Sequence, residues 1–201
     1  MVFPMLVKEV MVILAGYALG CFAAGYYLVR WRTGQDIRTI GSGATGGTNV
    51  GRLLGKPGFA VTMALDLLKG CLAVWAAFYF EVRAWAVALT VAAVVIGHIW
   101  PVQLGFQGGK GLATVLGAML VFDVRLLIVL IILALLLGLL LRQFAIGVLT
   151  LAALAPAVAA AWGRPWTDVL GLAVTAAAIL IAHRGNIRAL LERRSRPTDK
   201  G

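Results

Sequence analysis

The segment Gly105-Phe106-Gln107-Gly108-Gly109-Lys110-Gly111 sets glycines beside one lysine, between two apolar runs, Ala84 to Trp100 and Leu112 to Phe122. Glycine permits backbone angles closed to other residues and lets main-chain N–H groups come close to a ligand. A run of such N–H groups makes a concave anion site; a helix starting just after it adds the positive end of its dipole, and Lys110 adds a full charge. The segment reads either as a phosphate cradle or as a plain flexible turn between two helices. It is not a Walker A loop: that motif needs a glycine five residues before its Gly-Lys pair and a Ser or Thr after it, where this chain has Leu104 and Gly111.

Two other polar segments hold complementary groups. Arg30 to Arg52 contains Gly41-Ser42-Gly43-Ala44-Thr45-Gly46-Gly47-Thr48-Asn49, rich in small and turn-forming residues, and ends in Arg52. The last apolar run gives way to His183-Arg184-Gly185-Asn186-Ile187. Lys110, Arg52 and Arg142 are candidates to neutralise phosphate, and an arginine can grip two oxygens at once. Ser42, Thr48, Asn49 and Asn186 are candidates to orient hydroxyls. The two histidines, His98 and His183, each close an apolar run and read either as interfacial structural residues or as site residues. No carboxylate cluster accompanies them, so no metal site is expected. Together these groups fit a phosphorylated, water-soluble molecule meeting a lipid-borne one.

The elements that must position these groups are membrane helices. The chain is 62% hydrophobic and 13% charged, against about a quarter charged in a soluble domain, and its mean hydropathy is +0.96. The net charge of +10 therefore points to anionic headgroups, cytoplasmic loops or phosphorylated substrates and not to nucleic acid. Cys21 and Cys71 lie in apolar runs without ligand spacing and read as small core residues. The apolar runs are Leu6–Val29, Pro57–Phe80, Ala84–Trp100, the short Leu112–Phe122, Leu126–Leu141, Ile146–Trp162 and Trp166–Ala182. Gly16, Gly20 and Ala24 recur at the four-residue spacing of close helix packing. Asp66 and Lys69 share one face of the second run, as a self-neutralising pair or as site residues.

The expected fold is an all-α integral membrane protein of about seven transmembrane helices, one short, forming a single domain over residues 1–201, with 193–201 a flexible basic tail on anionic lipid. Seven crossings put the termini on opposite sides. With the N-terminus outside, 13 basic residues lie inside and four outside (Lys8, Arg83, Arg125 and Arg164), with Lys69 buried. The positive-inside rule selects that orientation. It also brings all three polar segments to the cytoplasmic face.

The motifs resemble a known family. Gly41 to Asn49 with Arg52, Gly97-His98-Ile99-Trp100-Pro101 through Gly108-Gly109-Lys110-Gly111-Leu112-Ala113-Thr114, and His183 to Ile187 are similar, in order and separation, to the three motifs of the bacterial acyl-phosphate:glycerol-3-phosphate acyltransferases. The resemblance extends to Gly34-Gln35-Asp36-Ile37-Arg38 and Asp66-Leu67-Leu68-Lys69-Gly70 and covers nearly the whole chain. It implies an inner-membrane enzyme of phospholipid biosynthesis that moves an acyl chain from acyl phosphate to the 1-hydroxyl of sn-glycerol 3-phosphate. The products are lysophosphatidic acid and phosphate, and acyl-CoA, acyl carrier protein and cofactors take no part. By matching positions, Ser42 and Arg52 are essential, Gly108 to Gly111 serve a phosphate-bearing substrate, and His183 and Asn186 are activity-sensitive.

The chain departs from the family pattern at Ala44 (usually asparagine), Gly47 (usually alanine), Gly185 and Ser195 (usually glutamates) and Gln143-Phe144-Ala145 (often Tyr-Val-Ser). Those changes spare Ser42, Arg52, Lys110, His183 and Asn186. They leave room for a paralogue with another phosphorylated acceptor or for a catalytically silent scaffold. A small anion transporter would need a polar path that the spans, apart from Asp66 and Lys69, do not offer.

Overall fold

The computed structural model describes residues 2–142 and 144–195, and every regular element among them is helical. In order these are α1 (Val2–Cys21), α2 (Ala24–Thr33), a 3-10 turn (Ile37–Thr39), α3 (Gly47–Tyr79), α4 (Ala84–Ile99), a second 3-10 turn (Val102–Leu104), α5 (Leu112–Phe122), α6 (Val124–Leu140), α7 (Phe144–Ala161), α8 (Trp166–Ala182) and α9 (Arg184–Ser195).

Helix α4 is the hub, packed by α1, α3, α5 and α8. Val87, Val91, Val94, Val95 and Ile99 are buried on successive faces, as expected of a helix with no polar side. Its neighbours come close because they meet at glycines. A Cβ on Gly20 would collide with the Val94 carbonyl, one on Gly97 with the Tyr17 carbonyl, and one on Gly117 of α5 with the Leu67 carbonyl of α3. A second cluster, including Met119, Leu126, Leu130, Ala159 and Leu172, joins α5 to α6, α7 and α8. The outer faces expose Trp75, Leu133, Leu136, Leu140 and Leu170, and the apolar surface they form faces a bilayer. The molecule is an all-helical, multi-pass membrane protein.

Helix lengths agree with this. The stretches Phe3–Thr33 (α1 with α2), Gly47–Tyr79 (α3) and Ala84–Leu104 (α4 with the 3-10 turn after it) are long and apolar enough to span a membrane. The 17-residue α6 and α8 rise about 26 Å each, near the hydrocarbon thickness of about 30 Å. The 11-residue α5 rises only about 16 Å, so the glycine segment at its start must supply part of the depth.

Several boundaries differ from the sequence expectation. The first span is not continuous: it breaks after Cys21 and resumes as α2. Lys69 Nζ donates to the carbonyls of Gly20 (3.0 Å) and Phe22 (2.7 Å), and Gln103 donates to that of Cys21, so the freed groups are satisfied. Helix α3 begins ten residues early, at Gly47, and turns at Gly55 (φ +71°, ψ −167°) before Pro57. Thr48, Asn49 and Arg52 therefore sit on a helix, not in a loop. The tail expected from residue 193 is helical through Ser195, where α9 ends; residues 196–201 lie outside the described residues.

Candidate active site

The first polar segment folds around Asn49. Its Oδ1 accepts from the Ser42 N–H at 3.1 Å, and its Nδ2 donates to the carbonyls of Ile40 (2.8 Å), Ala44 (3.1 Å) and, more weakly, Ile37 (3.4 Å). Asn49 is buried. Its amide is fully engaged within the protein, so the structure gives it a different task from the expected contact with substrate: it holds the loop that presents the exposed Ser42.

Two ties bind this loop to the glycine segment. Arg38, bonded to both oxygens of Asp36, donates from Nη1 to the Leu104 carbonyl at 2.8 Å and stacks on Tyr26. The Thr45 N–H donates to the Gly108 carbonyl at 3.2 Å. The Arg38 guanidinium also holds the Asp36 carboxyl below the ordinary carboxylate range, which keeps the pair charged.

The glycine segment does not form the simple nest expected of it. The N–H groups of Gly108 and Gly109 turn back onto the end of α4, donating to Ile99 O (3.1 Å) and His98 O (3.0 Å). Among the described residues the N–H groups of Lys110 and Gly111 have no such partner. Gly111, at φ +82°, caps α5 in a left-handed conformation that a side chain would strain.

The third segment closes the site. Lys110 Nζ donates to Asn186 Oδ1 at 2.9 Å, joining the glycine segment to the first turn of α9. Between the three segments lies a cleft of about 330 Å³, lined by Ser42, Ile99, Trp100, Gly109, Lys110, Ile181, Ala182, Arg184, Gly185 and Asn186. Partial burial, and then the charge of Arg52, hold the Lys110 ammonium below the usual lysine pKa. His183 is buried beside this wall, and its Nδ1 lies 2.9 Å from the Ile179 carbonyl. A carbonyl only accepts, so Nδ1 carries the proton, and in the neutral ring Nε2 is left as an acceptor. Burial and the nearby Lys110 charge push its pKa below 6.5, against the opposing effect of the Ile179 bond.

The structure thus brings Ser42, Gly109, Lys110 and Asn186 into one wall, with Arg52 and His183 close to Lys110 and with Gly108 and Gly111 as the shoulders of the loop. Thr48 is exposed on the first turn of α3 and Arg142 is exposed beyond the end of α6; neither lines the cleft. His98 and Thr114 are buried and do not line it either. Arg184, Gly185, Trp100 and Ile181 line the cleft without having been singled out as site residues. For Arg184 a signal existed, its place beside His183; for Ile181 only its position at a span end pointed there. No group of three or more His, Cys, Asp or Glu suited to a metal occurs among the described residues.

Known proteins are similar to this chain in sequence and in helix arrangement. The family model for glycerol-3-phosphate acyltransferase matches residues 10–193. Glycerol-3-phosphate acyltransferase 1 of Desulfitobacterium hafniense is 45% identical over 93% of each chain. The glycerol-3-phosphate acyltransferase of Syntrophomonas wolfei is 41% identical over 91% of this chain and 93% of its own. A crystal structure of PlsY, an integral membrane glycerol 3-phosphate acyltransferase in its glycerol 3-phosphate form, superposes with a TM-score of 0.83 at 32% identity, covering 94% of both chains. The lysophosphatidic acid form of the same protein gives 0.80. With sequence, motifs and helix arrangement matching over nearly the full length, the chain belongs to the glycerol-3-phosphate acyltransferase family.

Proposed function

We propose that this protein transfers an acyl chain from acyl phosphate to the 1-hydroxyl of sn-glycerol 3-phosphate, releasing lysophosphatidic acid and inorganic phosphate at the cytoplasmic face of a bacterial inner membrane, with its N-terminus outside. The observation that carries this reading is the meeting of Ser42, Lys110, Arg184 and Asn186, from three distant segments, in one cleft at the ends of apolar helices. The distribution of basic residues supports the orientation.

Both substrates carry phosphate, and the cleft is cationic. Lys110, Arg52 and Arg184 supply charge, while Ser42 and Asn186 supply hydrogen bonds at its wall. Lys110 and Asn186 already touch and form a ready clamp for a phosphate or a glycerol hydroxyl. In the reaction the 1-hydroxyl oxygen bonds to the acyl carbonyl carbon and the bond from that carbon to the phosphate oxygen breaks. The phosphate leaving group is good enough that no acyl-enzyme is needed. Holding both substrates in register lowers such a barrier by up to about 7–11 kcal/mol, and cations stabilise the tetrahedral oxyanion and the departing phosphate. The hydroxyl proton passes to a substrate phosphate oxygen; His183, kept neutral by burial, serves the site by its shape and its Nε2 acceptor.

The test is phosphate release from palmitoyl phosphate by the purified protein, with and without glycerol 3-phosphate, beside a Lys110→Ala control. Acceptor-dependent release with lysophosphatidic acid formed, and its loss in the control, is the expected result. No turnover from folded protein would overturn the reading. A His183→Gln variant that retains substantial activity, still falling as the substrate phosphate becomes protonated near pH ~6, supports the substrate as proton acceptor; complete loss with intact substrate binding would assign that step to His183.

A further inference from the structure

We propose that His98, held from below by Asp66 and Lys69, is a positioning residue that fixes the glycine segment and thereby sets the affinity for glycerol 3-phosphate. The proposal rests on the acyltransferase reading above.

Three ionisable side chains lie buried beneath the segment: Asp66, Lys69 and His98, with relative exposures of 1%, 3% and 5%. Such groups are costly inside a membrane protein, and each must have a reason to be there. Lys69 has an evident one. It donates to the carbonyls of Gly20 and Phe22 where α1 breaks, and a cation suits a helix C-terminus. Asp66 Oδ1, at 3.0 Å from Lys69 Nζ, neutralises it. That pair would be complete by itself.

His98 is the surplus. Its Nδ1 faces Asp66 Oδ1 at 3.4 Å and makes no hydrogen bond to any described group. An apolar residue at this position would fill the same space at lower cost. What the histidine does is support the segment above it. The His98 carbonyl accepts from the Gly109 N–H at 3.0 Å. The ring lies flush beneath Gly109, where a Cβ would collide with Nε2, and a Cβ on Gly108 would collide with the His98 carbonyl. Gly109 lines the cleft and directly precedes Lys110. The α1 break, Lys69, Asp66 and His98 thus form one continuous support that ends at the residue next to the cationic clamp. If Asp66 lets the ring tilt, Gly109 and Lys110 move.

The experiment uses the full-length protein in detergent with palmitoyl phosphate and varied glycerol 3-phosphate, comparing wild type, His98→Asn and Asp66→Asn. Asparagine at 98 keeps a polar group on the side of Asp66, whose carboxylate is still neutralised by Lys69, but it removes the ring under Gly109. The expected result for His98→Asn is a rise of about tenfold or more in KM for glycerol 3-phosphate with a much smaller change in kcat, and an unchanged KM for palmitoyl phosphate. Asp66→Asn should raise the same KM less. Hydrogen exchange at the Gly109 amide, measured without substrate, should accelerate in both. A folded His98→Asn protein with wild-type KM and wild-type exchange would overturn the proposal. So would failure of both variants to fold, because the cluster would then serve the fold alone. Absence of acceptor-dependent turnover in wild type would count against the acyltransferase reading instead, and the exchange measurement would still decide whether His98 holds the segment.

Discussion

Replacing Asn49 separates an organiser of the site from a ligand of the substrate. Its amide makes three bonds within 3.1 Å, to Ser42 N–H, Ile40 O and Ala44 O, and a fourth at 3.4 Å to Ile37 O. At about 1 kcal/mol net for each of the three shorter bonds, Asn49→Ala loosens the loop by about 3 kcal/mol. That is roughly a hundredfold in the ratio of ordered to disordered loop, and it sets an upper bound of similar size on the fall in kcat/KM. Asn49→Asp should do at least as much harm, although it keeps the acceptor, because it places an oxygen where two N–H donors are now shared among the carbonyls of Ile40, Ala44 and Ile37. The assay is acyl transfer at varied glycerol 3-phosphate, with amide exchange at Ser42 as a structural readout. The organiser role requires activity and exchange protection to fall together. An Asn49→Ala protein that loses activity with Ser42 still protected would refute it and restore a direct substrate contact.

Three further outcomes follow from other parts of the molecule. Glu9 is buried and bonded three times by Arg83, at the end of α4 away from the cleft, so Arg83→Ala should lower the thermal midpoint in detergent while leaving the KM for glycerol 3-phosphate unchanged. Gly117→Ala drives a methyl into the Leu67 carbonyl and should destabilise the α3–α5 contact by about 1–3 kcal/mol, read as a lower midpoint in thermal unfolding. His183 has its pKa depressed in the folded state, so below 6.5 the unfolded chain binds the extra proton more readily. Its contribution to stability is full above 6.5, falls as pH drops towards the folded-state value, and should vanish from the slope of midpoint against pH in His183→Gln.

Local chemistry was legible in the sequence where it depended on residue type and order. The bounds of α5 and α8 and the pairing of Asp66 with Lys69 could be read from apolar runs and helical spacing, and the convergence of three polar segments from the number of runs between them. What could not be read was the destination of backbone groups. Nothing in Asn49 as a residue type says that its amide will reach the carbonyls of Ile40 and Ala44 and not a substrate. Nothing in Gly108-Gly109 says that their N–H groups will return to α4. The break after Cys21 was equally hidden, because the groups that satisfy it, Lys69 and Gln103, come from elements far along the chain. Arg142 is the converse case: its charge suits a phosphate site, and the structure leaves it exposed beyond α6, outside the residues that line the cleft.

The interruption between α1 and α2 also bears on how the protein enters the bilayer. Until α3 arrives, the carbonyls of Gly20 and Phe22 are left without their lysine; until α1 is in place, Lys69 lacks two of the oxygens that make its burial tolerable. Neither helix is at ease in lipid without the other. The two segments, separated by the whole first polar loop, have a reason to leave the insertion machinery together, and the loop that carries Ser42 is then folded between partners already joined at their base.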